Sequence, residues 1–81
     1  MNTSKKSVII YSTPTCPYCV MAKNYFTKNN VAYTDVDVSQ DERAAQEMVQ
    51  KSQQMGVPVI DIGGAIVVGY RPDIFAELLA K

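Results

Sequence analysis

Short apolar runs, alternating stretches and helically spaced stretches follow one another along this chain, with polar turns between them. Val8-Ile9-Ile10-Tyr11 is continuously apolar and mostly β-branched, so Ser7 to Ser12 reads as a strand buried on both faces. A turn-like Ser12-Thr13-Pro14-Thr15 follows. Ala22, Tyr25, Phe26 and Asn29 then recur at helical spacing, which predicts a helix from Tyr18 to about Asn29. Asn29-Asn30 ends it, because Asn tolerates the left-handed conformation of a helix C-terminus. Val31 to Val38 alternates: Val31, Tyr33, Asp35 and Asp37 lie against Ala32, Thr34, Val36 and Val38, a second strand with one more polar face. Ser39 precedes Glu42 at capping-box spacing and is expected to start a second helix. That helix runs to roughly Ser52, burying Ala45, Met48 and Val49, with Gly56 as its stop. Val59 to Ile62 and Ala65 to Val68 flank Gly63-Gly64 as a hairpin with a two-residue turn. Pro72 opens a last helix to about Ala80, with Ile74, Phe75, Leu78 and Leu79 on its buried face. Met1 to Lys6 is polar and expected to fray.

The resulting order is β-α-β-α-β-β-α. Its first crossover is parallel and expected to be right-handed, and the hairpin adds an antiparallel pair. The expected fold is an α/β domain: a four-stranded mixed sheet with three helices. Eighty-one residues, 47% of them apolar, make one core and one domain over residues 1–81. Charge matters only by exclusion. Eight basic and eight acidic residues cancel, and no basic block exceeds Lys5-Lys6, so neither nucleic acid nor a membrane surface is an expected partner. There is no signal-peptide pattern and no run near transmembrane length, so the expectation is a cytoplasmic monomer.

The chemistry centres on Cys16-Pro17-Tyr18-Cys19, which contains both cysteines of the chain. The pair falls where the first strand hands over to a helix N-terminus, where unpaired N–H groups and the positive dipole end favour a thiolate. Pro17 suits the first helical position, which makes Cys16 the N-cap. Its sulfur can then accept backbone N–H bonds, with Cys19 one turn further on. Cys16 is therefore assigned as attacking thiolate and Cys19 as resolving thiol. A zinc site needs four ligands, and the chain has no His and no third Cys. A structural bridge across so short a loop would remove little unfolded-chain entropy. In a reducing compartment a close pair is more often catalytic than structural. With this pair at the first strand-to-helix turn, the element order is that of the thioredoxin-like architecture.

On those residues the chain resembles the glutaredoxin family over nearly its whole length, and within it a small YruB-type glutaredoxin-like group. Cys16-Pro17-Tyr18-Cys19 is the family's dithiol motif, Ala22-Lys23 follows at the family spacing, and Val57-Pro58 matches its Val-Pro before the third strand. The resemblance implies a dithiol–disulfide oxidoreductase. It also implies a cis Val57–Pro58 bond facing the cysteines, with the Val57 backbone open to pair with a substrate or glutathione backbone. Two positions depart from the family pattern. Thr13 stands where many glutaredoxins carry Lys, and Gly69-Tyr70-Arg71-Pro72-Asp73 stands where many carry Gly-Gly-x-x-Asp. Pro72 removes an N–H donor there and Tyr70 adds bulk. The stretch is similar instead to the Gly-aromatic-Arg-Pro-Asp of the redoxins dedicated to ribonucleotide reductase (the NrdH-redoxin type), which draw electrons from thioredoxin reductase.

The implied site has Cys16 and Cys19 as catalytic residues, with Thr13, Pro17, Tyr18, Val57, Pro58, Gly69, Tyr70, Arg71 and Asp73 toward the substrate. No tightly bound cofactor is expected. The implied partners are a disulfide-bearing protein and thioredoxin reductase, with glutathione as the alternative reductant. A reading from another class, an iron–sulfur carrier bridging a dimer, is disfavoured within the family by Pro17. Lys23 is expected to act on Cys16 only weakly through solvent. Glu42 and Glu47 read as solvated helix charges, Met48 as core, and Asp35 with Asp37 as a strand end and not an acid–base dyad.

Overall fold

Strand β1, Val8–Ser12, is the centre on which the sheet is assembled, and four of its five side chains are buried. In a computed structural model that describes residues 7–80, the chain continues as α1 (Pro17–Lys28), β2 (Thr34–Asp37), α2 (Glu42–Ser52), β3 (Val59–Ile62), β4 (Ala65–Val68) and α3 (Pro72–Ala80). The polar lead-in Met1 to Lys6 lies outside the described residues. The sheet order is β2-β1-β3-β4: β2 runs parallel to β1, and β3 and β4 pair antiparallel. The predicted mixed sheet and element order are thus observed.

Alternation along β1 and β3 sends side chains to two separate cores. On one face Val8, Ile10, Ile60 and Ile62 meet Ala22 and Phe26 of α1 and Phe75 of α3. The Phe26 and Phe75 rings lie 5.0 Å apart, and Tyr25 meets Phe26 edge-on at 5.4 Å. Offset and edge-on aromatic pairs of this kind stabilise a core beyond their buried area. On the other face Tyr11 and Val59 pack under Met48 of α2, as expected for Met48. The hairpin forms where predicted. Gly63 (φ 59°) and Gly64 (φ 100°) both take left-handed backbone, which the two-residue turn demands and other residues resist.

Four local expectations change. Asp41, not Ser39, caps α2: its carboxylate accepts the Ala44 N–H at 3.1 Å. Ser39 is unavailable because its own N–H and hydroxyl both donate to Asp37. Starting at Glu42, the helix buries Ala44 with Met48, leaving Ala45 partly exposed and Val49 packed at the edge of the core. Gln53, in the left-handed region at φ 62°, ends α2 in place of Gly56, its N–H reaching Val49 O at 2.8 Å. Finally β2 starts at Thr34 instead of Val31. Asn30 takes φ 58°, Asn30 N–H returns to Thr27 O, and Val31 N–H returns to Phe26 O at 2.9 Å. These two bonds close α1 as a Schellman motif and occupy the first residues of the expected strand.

Candidate active site

Cys16 sits in the turn between β1 and α1 with extended backbone (φ −95°, ψ 112°), the N-cap conformation, and Pro17 follows at the first helical position. Its carbonyl accepts the Val20 N–H at 3.2 Å, and its Sγ accepts the Cys19 N–H at 3.2 Å. The sulfur thus does the work of a capping oxygen, satisfying one of the helix's unpaired donors. Cys19, one turn in, is fully buried, whereas Cys16 is partly exposed. Burial, and then the hydrogen bond with the Cys16 sulfur, push the Cys19 thiol up to about 12. Both thiols are unbridged in this structure. Two cysteines three residues apart therefore have sharply different surroundings: one at the surface on a helix N-terminus, the other sealed in the core.

Facing Cys16 is the segment before β3. Val57–Pro58 is cis, as the family resemblance implies, and the Cys16 thiol points at Val57 O with 3.9 Å between sulfur and oxygen. Pro58 is buried, and its carbonyl accepts the Gly69 N–H at 2.8 Å. Gly69 makes that approach with φ 90°, a conformation that suits glycine. Thr13, half-buried, closes the turn by accepting the Cys16 N–H at 3.3 Å. Tyr18 stands out from the surface with 58% of its area exposed. Cys16, Thr13, Val57 and Pro58 therefore meet at one point, and Gly69 joins them through Pro58.

Tyr70, Arg71 and Asp73 are placed differently. The Tyr70 ring is half-buried, edge-on to Phe75 at 6.1 Å, and belongs to the larger core. Arg71 uses its carbonyl to accept the Ile74 and Phe75 N–H groups and so starts α3, while its guanidinium lies loosely 4.0 Å from Asp73 at the surface.

Sequence reasoning missed a polar group beside the cysteines. Lys23, one turn after Cys19, forms an ion pair with Asp35 at 2.8 Å, and Asp35 accepts the hydroxyl of the buried Ser12 at 2.7 Å. Burial acts to raise the Asp35 carboxyl, but the Lys23 and Ser12 hydrogen bonds outweigh it and hold it below the ordinary carboxylate value. The Lys23 ammonium is raised in turn, chiefly by Asp35. Lys23 is thus committed to Asp35 and not free in solvent. The available signal was Ser12, a polar residue closing an apolar strand.

Residues 8–67 match the family model described as glutaredoxin. The chain belongs to the glutaredoxin family. It is 44% identical over 72 residues to a glutaredoxin-like 8.6 kDa protein of the rubredoxin operon of Clostridium pasteurianum, covering 89% of this chain and 96% of that one. The solved structure of the thioredoxin-like protein BC3987 is 32% identical, with a TM-score of 0.84 over 89% of this chain and 99% of that one. The glutaredoxin-like NrdH-redoxin of Escherichia coli shares the fold at a TM-score of 0.81 and 22% identity, over 89% of this chain and 93% of that one. As a glutaredoxin the chain is, by class, a thiol oxidoreductase. Among the described residues no helix is long and apolar enough to cross a membrane, and no group of three or more His, Cys, Asp or Glu side chains gathers where it could hold a metal.

Proposed function

We propose that this glutaredoxin reduces protein or mixed disulfides through a Cys16/Cys19 dithiol–disulfide cycle and is recharged by thioredoxin reductase. The Cys16 thiolate attacks one sulfur of the substrate disulfide. That S–S bond breaks, one substrate thiolate leaves, and a Cys16–substrate disulfide forms. Cys19 then gives up its proton and attacks the Cys16 sulfur, expelling the second substrate thiolate and leaving a Cys16–Cys19 disulfide. Two electrons pass to the substrate, whose two thiolates take up two protons, and a reductase returns two electrons to the pair. The observation that carries this order is the asymmetry of the thiols: Cys16 is accessible and capped onto α1, while Cys19 is fully buried with its thiol pushed up to about 12.

The preference for thioredoxin reductase rests on the far side of the site. A glutathione carboxylate docking before α3 needs free backbone N–H groups. Gly69 N–H is already bonded to Pro58 O, Pro72 has none, and Tyr70 packs on Phe75. Thr13 adds no positive charge. The test is NADPH consumption with a disulfide substrate under two recycling systems, thioredoxin reductase or glutathione with glutathione reductase. Turnover with thioredoxin reductase alone is expected. Turnover with glutathione alone would overturn the choice of reductant.

A further inference from the structure

We infer that Gln54 is a positioning residue: its side-chain amide fixes Gly56 and thereby holds the open Val57 backbone beside Cys16, where an extended peptide disulfide can pair with it. The inference rests on the disulfide-reductase reading above and names how a peptide substrate is seated.

The segment between α2 and β3 has no regular secondary structure, yet it must present Val57 to Cys16. Gln53 turns the chain in the left-handed region, and Gln54 then folds its side chain over the next residues. Gln54 Oε1 accepts the Gly56 N–H at 2.7 Å, Gln54 Nε2 donates to Gly56 O at 3.0 Å, and the same nitrogen reaches Ser52 Oγ at 3.1 Å. One amide thus occupies both backbone groups of Gly56, as a neighbouring strand would, and ties them to the end of α2. Gly56 lies outside the left-handed region, so conformational freedom does not explain it. A Cβ there would lie 2.9 Å from Gln54 Oε1, so any larger residue pushes the flexible amide off the Gly56 backbone.

The consequence is a register. Gly56 has both backbone groups occupied. Pro58 has no N–H, and its carbonyl is bonded to Gly69. Between them, among the described residues, the Val57 N–H has no protein partner and its carbonyl meets only the Cys16 thiol. Within Gly56–Pro58 an extended substrate backbone therefore finds one residue to pair with, next to the sulfur that attacks, and the precision of that residue depends on Gln54.

The test uses prereduced full-length protein in single turnovers, so that no recycling reductant is involved. The two probes are the symmetric disulfide of an acetylated and amidated Cys-containing pentapeptide, and 2-hydroxyethyl disulfide, which has no peptide backbone. Gln54→Ala is expected to raise the half-saturating peptide concentration about fivefold, what one ordinary hydrogen bond is worth. The maximal rate, and the rate with 2-hydroxyethyl disulfide, stay within about twofold. Gly56→Ala, which displaces the amide by a different route, gives the same split and adds nothing in the Gln54→Ala background. Equal losses on both probes, no loss on the peptide, or additive losses in the double variant would overturn the inference alone. Wild-type protein inert toward both probes would overturn the disulfide-reductase reading, and this inference with it.

Discussion

The assignment of Cys16 as attacker and Cys19 as resolver predicts a measurable difference in reactivity. In Cys16→Ser, Cys19 is the sole thiol. Beside Cys16 in the wild type its thiol is pushed up to about 12 from the ordinary 9.0, which lowers the thiolate fraction at pH 7 by about three decades. A more basic thiolate is also a better nucleophile, with a Brønsted slope of roughly 0.4–0.5, which returns a little over one decade. The net slowing is about 30-fold before any steric exclusion of the reagent from a fully buried sulfur. Replacing Cys16 removes its hydrogen bond, the second cause of the shift, and its charge interaction, a smaller one, but leaves burial, the first, so the slowing in the variant is smaller than this. Folded Cys16→Ser should thus be alkylated by iodoacetamide at least about tenfold more slowly than the same variant in urea, followed by mass spectrometry. Folded and unfolded rates within about threefold would refute the reasoning, since burial would then not be controlling the thiol.

The same shift has a stability consequence with a definite sign. The folded thiol titrates above its unfolded value, so the unfolded chain ionises first as pH rises. Cys19 therefore contributes no pH dependence below about 9, and stability falls from there toward 12. In urea titrations between pH 8 and pH 10, wild type should lose more stability than Cys19→Ala.

Two further predictions concern the frame of the site. Tyr11→Phe removes a hydroxyl that accepts from Lys51 at 2.8 Å and donates to Glu47 at 3.1 Å, and should cost about 1–2 kcal/mol in urea unfolding. Asp41→Ala should cost about 1 kcal/mol as a lost helix cap, and Ser39→Ala less than about 0.5 kcal/mol; the reverse ranking would restore Ser39 as the cap.

What was legible in the sequence is what local chemistry decides. The Gly63-Gly64 turn, the Cys16 cap with Pro17 behind it, the Asn29-Asn30 close of α1 and the Phe75 face of α3 each follow from a few adjacent residues, and the structure has them all. The misses are competitions that adjacent residues cannot settle. Ser39 and Asp41 are both good caps, and the choice falls to Asp41 because Asp37, at the end of a strand, engages Ser39 first.

Glu47 and Lys51 show the same limit more sharply. In the sequence Glu47 reads, with Glu42, as a solvated helix charge, and Lys51 follows four residues later on α2. In the fold Lys51 Nζ bonds both the Tyr11 hydroxyl and Asp61, each at 2.8 Å, and Glu47 accepts the Tyr11 proton. Tyr11 is 36 residues from Glu47 and 40 from Lys51, so no window of sequence contains the interaction. The cluster also bears on function. Tyr11 is the β1 partner of Val59 in the ladder, and Val59 follows Pro58 directly. Locking Tyr11 to α2 and Asp61 to the same lysine ties helix α2 to both strands that hold the Val57–Pro58 segment against Cys16. A site of two thiols and one open backbone residue has few contacts of its own to fix its geometry, so its precision has to come from elements behind it.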